Sequence, residues 1–172
     1  PGYYLPEDRA KRITQLLKPK SNWDKAAVGK MIFDNTSSVA PEVVKNLISN
    51  VDQTSLSENE KKALTILKDW KGSNNLNDVA PTIYNKWIFN YLKNTFEDEL
   101  GAENFKQFLG THIVKQLIAK QIANEKSLWW DNIKTKNAKE TRSQIISKSF
   151  AESIVALEKQ LGDSVSDWTW NK

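Results

Sequence analysis

The chain has 172 residues and a mass of 19.7 kDa, enough for one domain with a real core and too short for two comfortable ones. Its formal charge of +4 comes from 25 Lys and Arg against 21 Asp and Glu interspersed along the whole length, which favours solubility over nucleic-acid binding. The absence of cysteine excludes a disulfide, a thiolate nucleophile and a cysteine metal site, and no apolar run approaches the roughly 20 residues that would span a bilayer.

In chain order, Pro1 to Pro6 reads as an extended or turn segment, because two prolines and a glycine deny it regular hydrogen bonding. Glu7 and Asp8 then open a helix through Ala10, Ile13, Leu16 and Leu17, with acid at its positive end, and Lys18-Pro19 stops it. Ser21 to Asp24 has the spacing of a capping box ahead of a helix with apolar positions Ala27, Val28, Met31 and Ile32. After Asp34-Asn35-Thr36 the pattern resumes through Val39, Val43, Val44, Leu47, Ile48 and Val51, with Pro41 in a first turn. Asp52 to Leu56 is a polar loop, and Ser57-Glu58-Asn59-Glu60 is a capping box before Ala63, Leu64, Leu67 and Trp70. Lys71 to Asn77 is the least structured stretch by composition.

The organising helix follows. Asp78 is read as its cap and Pro81 as a first-turn residue, and Ile83, Tyr84, Trp87, Ile88, Tyr91, Leu92 and Phe96 form one apolar stripe. Asn85, Lys86, Asn90, Lys93 and Asn94 lie mostly opposite, on what reads as the polar face. Gly101 breaks the pattern, and Phe105, Phe108, Leu109, Ile113, Leu117 and Ile118 predict one or two further helices with a discontinuity at Gly110. Ser127 to Ile133 is too aromatic for an ordinary loop and should dock on the core. A long last helix carries Ala138, Thr141, Ile145, Ile146, Phe150, Ile154, Leu157 and Leu161 and ends at Gly162. No stretch alternates with a strand's period, so the prediction is an all-α, irregular multi-helix bundle of six or seven helices.

Few residues offer chemistry. His112 is the one histidine, with no second His for a metal pair, and reads as a partly buried helix residue. Asp163, Asp167 and the Ser164/Ser166 pair gather hydroxyls and carboxylates, as chains do where a helix gives way to a loop. Glu97-Asp98-Glu99 and Glu103 lack the alternating ligand spacing of a calcium loop and read as a solvated face. Lys11, Arg12, Lys18, Lys20 and Lys25, with Tyr3, Tyr4 and Trp23, could form a basic patch, but acidic residues are interleaved with them.

Gly2-Tyr3-Tyr4-Leu5-Pro6, Asp8-Arg9-Ala10-Lys11-Arg12-Ile13 and Leu16-Leu17 resemble a segment of the penicillin acylase (penicillin amidase) family. The likeness continues in Asp34-Asn35-Thr36-Ser37, in Ala63-Leu64 to Trp70-Lys71-Gly72, and in Ala80-Pro81-Thr82-Ile83-Tyr84 with Trp87. Further on it takes in Trp129-Trp130-Asp131-Asn132 with Thr135, Glu140-Thr141 and Asp167-Trp168-Thr169-Trp170, although Asn171 stands where the family often has Gly. This resemblance implies an N-terminal-nucleophile hydrolase that cuts itself into two subunits and hydrolyses acylated small-molecule amides such as penicillins or acyl-homoserine lactones.

On that reading residues 1–172 are a single helical domain or a fragment of the larger (β) subunit, a helical lobe of an α/β hydrolase that is inactive alone. Pro1 cannot be the N-terminal nucleophile, so no catalytic residue and no metal ligand is expected within the chain. Arg9 alone matches a family position near the site, an arginine beside the oxyanion-stabilising asparagine, where the bland alternative is a surface ion pair with Glu7 or Asp8. The implied partners are the rest of the parent hydrolase and an acyl amide substrate, with no nucleic acid and no membrane. No cofactor is expected in this chain, although the resemblance allows calcium in the parent, and it places the parent in the periplasm or outside the cell. The alternative function from another class is a free-standing helical protein-interaction domain.

Overall fold

The computed structural model describes residues 7–19 and 21–172, and among them the chain is all helical with no strand. Seven α-helices run in order: α1 (Asp8–Leu17), α2 (Lys25–Ile32), α3 (Ala40–Ile48), α4 (Glu58–Asp69), α5 (Ala80–Leu109), α6 (Ile113–Ala123) and α7 (Arg142–Leu161). Two 3-10 turns, Leu128–Trp130 and Val165–Asp167, flank α7. Pro1 to Pro6, with Tyr3 and Tyr4, and Lys20 lie outside the described residues.

The core forms where α5 meets α7. Ile83, Trp87 and Tyr91 are fully buried on successive turns of α5, as are Ile146 and Phe150 on α7, and the Trp87 and Phe150 rings sit 4.6 Å apart. Each such side chain contributes roughly 1.5–3 kcal/mol by leaving water. Ser149 and Ser153 supply the small surface that lets the helices approach. Their hydroxyls bond back to Ile145 O at 2.7 Å and Ser149 O at 2.6 Å, so neither is an unsatisfied polar group in the core. Asn90 and Asn94, which the periodicity puts on a solvent face, instead donate across this interface to Ser153 Oγ (2.9 Å) and Ser149 Oγ (3.1 Å). Around this pair α3, α4 and α6 bury Val44, Leu47, Leu64, Leu67 and Ile122. The aromatic segment docks as expected, with Trp130 buried 6.1 Å from Tyr91 and its indole N–H on Asn124 O at 2.8 Å.

Two glycines end helical runs for a conformational reason. Gly101 interrupts α5 at φ 75° and ψ 157°, and Gly162 closes α7 at φ 90°, backbone regions that residues with a side chain rarely adopt. The Ser57–Glu60 capping box is present with both reciprocal bonds.

Three expectations are corrected. Asp78 does not cap α5: its carboxylate accepts from Ser73 Oγ (2.6 Å) and Asn75 N–H (3.3 Å), closing the preceding loop, and Pro81 sets the helix entry. The cap of α2 is Asp24, which accepts from Ala27 N–H at 2.7 Å, so the helix starts after the apparent box at Ser21. Ala138 lies before α7, which begins behind a capping box made by Thr141 and Gln144.

Neither α1 nor α2 buries a residue in the core. Their apolar stripes are only half covered, and polar contacts attach this helical pair to the bundle.

Candidate functional site

Those polar contacts gather at one corner. The Asp8 carboxylate, in the first turn of α1, accepts from Ser37 Oγ (2.6 Å), Ser38 N–H (2.7 Å), Ser38 Oγ (3.0 Å) and Val39 N–H (3.2 Å). Ser37 Oγ in turn accepts from Ala40 N–H at 2.9 Å. The N-terminus of α3 is thus capped by a residue of its own loop and by a carboxylate from another helix, with negative charge against the positive helix end. Burial works against the Asp8 charge, but the hydrogen bonds from Ser37, Ser38 and Val39 outweigh it and hold the pKa below the ordinary carboxyl value.

One turn along α1, Arg12 grips Asp34 with two parallel bonds, Nε to Oδ1 at 2.9 Å and Nη2 to Oδ2 at 2.7 Å. Both side chains are largely shielded, at 23% and 15% exposed, so this planar pair is stronger than a surface contact. The Arg12 hydrogen bonds, helped by the Thr36 N–H and despite partial burial, keep Asp34 ionised below the usual range.

Arg9 lies between these two anchors. Its guanidinium donates to Asp34 O (3.0 Å) and Met31 O (3.3 Å), positive charge against the carbonyls at the end of α2. The ion pair with Glu7 or Asp8 is not what forms: Glu7 pairs with Lys11 at 2.8 Å, and Asp8 is taken by the serines. Arg9, Ile32, Asp34, Asn35 and Asn74 line an open depression of about 390 Å³.

The second loop of the corner is the one that composition marks as unstructured. Gly72 O accepts from Ser37 N–H at 2.8 Å, and a Cβ on Gly72 would stand 2.1 Å from Ser37 O. Only a glycine, here at φ 91°, lets the two loops touch. Asn74 Nδ2 donates to Asn35 O at 2.8 Å, and Trp70 Nε1 donates to Ser73 O at 2.7 Å. The end of the chain joins them: Trp170 N–H reaches Asp78 O and Asn171 N–H reaches Leu76 O, both at 3.0 Å. Asp8, Arg12, Asp34, Ser37, Trp70, Gly72 and Trp170, which carry part of the resemblance, are therefore linked by successive contacts between the two loops and the segment after α7.

The other candidates are elsewhere. His112 is exposed, not partly buried as expected, because it stands at the cap position that opens α6 instead of lying within a packed helix, and Ser164 and Ser166 face each other at 3.0 Å in an exposed turn. The Glu97–Glu99 acids are not a solvated face throughout: burial, then a hydrogen bond and repulsion from Asp98, push Glu99 up to about 7. Asp98 also accepts the Ile133 N–H at 2.8 Å, which ties the aromatic segment to α5. Among the described residues no three His, Asp or Glu side chains are grouped to hold a metal ion. Near the start of α7 a groove of about 580 Å³ is lined by Glu125, Lys139, Glu140 and Arg142. Its charges serve the fold, since Arg142 donates to Ile122 O (3.1 Å) and Glu140 accepts from Asn132 N–H (3.0 Å).

Chemically the corner is a clamp. It holds two serines against a carboxylate, with the Ser37 and Ser38 hydroxyls donating to Asp8, and the one imidazole lies elsewhere, at the cap of α6. Sequence reasoning missed Asp8 as a cap for a helix 30 positions on, the Arg12–Asp34 fork, and the contact at Gly72. The legible signals were Asp34-Asn35-Thr36, an Asx-turn pattern, and a glycine beside polar loop residues.

The motif residues of this all-helical module fasten its loops to one another. The chain belongs to the penicillin amidase family, whose model matches residues 1–172. It is 26% identical over 181 residues to the acyl-homoserine lactone acylase QuiP of Pseudomonas fluorescens, a match covering 96% of this chain and 22% of that protein. The QuiP acylase of Pseudomonas aeruginosa is 24% identical over 187 residues, covering 99% of this chain and again 22% of the relative. The chain spans about a fifth of the length of the curated relatives it matches. Among the described residues no helix is long and apolar enough to cross a membrane.

Proposed function

We propose that this chain is the helical lobe of the larger subunit of an N-terminal-nucleophile amidohydrolase that cleaves acylated small-molecule amides, acyl-homoserine lactones or penicillins. The observation that carries the reading is a whole-chain family match on a module that spans 22% of acyl-homoserine lactone acylases. The nucleophile, its α-amino base and the oxyanion donors belong to the rest of the protein in this reading, and the lobe alone is inactive. Any calcium is likewise held outside this chain, and the parent works in the periplasm or outside the cell.

Within the lobe, Arg9 is the residue assigned to support the active site. Its contacts to Asp34 O and Met31 O fix the guanidinium at the rim of an open depression, with further N–H groups for an asparagine amide or for the neighbourhood of an oxyanion. Release of the free amine from a long-chain acyl-homoserine lactone and from a penicillin, followed with the complete polypeptide, tests the proposal. Turnover of either substrate supports it, and turnover of neither removes the assigned chemistry.

A further inference from the structure

The aromatic segment after α6 is fastened to the bundle by carboxylates as well as by rings. Trp129 lies 5.1 Å from Phe96 and Trp130 lies 6.1 Å from Tyr91, both partners on α5. Beyond the two indoles, Asp98 Oδ2 accepts the Ile133 N–H at 2.8 Å and Glu140 Oε2 accepts the Asn132 N–H at 3.0 Å. Asp131 Oδ1 accepts the Glu140 N–H at 3.3 Å, which closes the segment on the stretch leading into α7. Of these three bonds, the one to Asp98 reaches α5.

Beside Asp98 sits Glu99, whose Oε2 is buried without a hydrogen-bond partner among the described residues, while its carboxyl shares a hydrogen bond with Asp98. Two carboxyl groups share such a bond only while one of them keeps its proton. The charged groups that act on Glu99 are Asp98 on α5 and Asp131 on the aromatic segment, both acids, while Glu97 turns to Lys93 at 3.9 Å. Among the described residues no Lys or Arg forms an ion pair with Asp98, Glu99 or Asp131. Burial first, then the bond and charge of Asp98, hold the proton on Glu99 up to about 7, against the pull of its own backbone N–H. Loss of that proton turns the shared bond into a repulsion and leaves a buried anionic oxygen without a donor. Separation of the two carboxylates relieves both, and it takes the acceptor away from the Ile133 N–H.

We propose that Asp98 and Glu99 form a proton-operated latch, which holds residues 128–133 on α5 while Glu99 is protonated and loosens them when it ionises. Ser127, Leu128 and Trp130 line the groove near the start of α7, so the latch also governs the shape of that groove. This device goes beyond the proposed function and does not depend on it.

Hydrogen–deuterium exchange of the complete polypeptide tests the latch, read by mass spectrometry on the peptide covering residues 128–135 and corrected for the intrinsic pH dependence of amide exchange. Protection of that peptide is expected to fall about fivefold or more between roughly pH 6 and pH 8. Glu99→Gln, which stays neutral and keeps an N–H donor for Asp98, should hold the protection level across that window. Asp98→Asn removes the neighbouring charge but keeps an acceptor for the Ile133 N–H, so the fall should move to lower pH. Flat protection in the unmodified protein, or an undiminished fall in Glu99→Gln, would overturn the latch. Exchange of the segment in step with the peptides of α7 at every pH, the sign of global unfolding alone, would overturn it as well.

Discussion

Replacing Gly72 by Ala would put a methyl carbon 2.1 Å from Ser37 O, 3.1 Å from Ser37 C and 3.2 Å from Pro41 Cγ. The closest of these is backbone, so no rotamer change relieves it and the two loops must separate. Three contributions add. A side chain at φ 91° is disfavoured by roughly 1–2 kcal/mol. The Ser37 N–H to Gly72 O bond of 2.8 Å is lost, at about 0.5–1.5 kcal/mol. Overpacking between fixed backbones adds about 1–3 kcal/mol. The expected destabilisation is therefore on the order of 3–5 kcal/mol, a large part of a small domain's total. Gly101→Ala is the matched control, because Gly101 also has positive φ, at 75°, but nothing within 4 Å of the added Cβ. It should lose only the backbone part, roughly 1–2 kcal/mol. Urea unfolding followed by tryptophan fluorescence measures both, with unchanged slope as the sign that only stability moved. If Gly72→Ala falls within about 0.5 kcal/mol of Gly101→Ala, the loop contact is not tight and the argument from close approach is wrong.

Two further outcomes follow from the same structure. Glu99 holds its proton up to about 7, against an ordinary 4.5, because burial and Asp98 oppose its charge. The folded state therefore binds that proton more tightly than the unfolded chain, so its stabilisation is complete below the unfolded value and lost as pH rises through about 7. Solvent screening at this partly open site leaves an effect on the order of 1 kcal/mol, and Glu99→Gln should flatten the urea midpoint across that window. An unchanged pH profile in the variant would refute the assignment to Glu99. Arg9→Lys in the complete, correctly processed enzyme should lower kcat by on the order of tenfold or more with stability retained, since an ammonium cannot reproduce the fork held on Asp34 O and Met31 O. Unchanged kcat and stability would make Arg9 a surface residue.

The bundle was legible in the sequence because its helices obey strong local rules. The stripe from Ile83 to Phe96, the Ser57–Glu60 box and the stops at Gly101 and Gly162 each express one period, one cap or one backbone constraint. What could not be read was long-range. Asp8 looks like an acid placed for its own helix, and only the fold shows that it caps α3 across 30 positions. Asp78 has the identity and place of a cap, yet Ser73 and Asn75 compete for its carboxylate and win. Asn90 and Asn94 are polar by type but face serines, a partnership set by the register between α5 and α7 that neither helix encodes by itself. The corner was visible as scattered motifs, and its unity depended on Gly72 meeting Ser37.

The central claim is that this lobe supports an acyl-transfer site whose nucleophile lies elsewhere in the polypeptide. Treating the complete protein with an activated acyl ester, trapping the acyl-enzyme and mapping the modified residue by peptide mass spectrometry tests it most directly. The account predicts a single substrate-protected acylation outside residues 1–172. Acylation that substrate suppresses at Ser37, Ser38 or any other residue of this chain would contradict it.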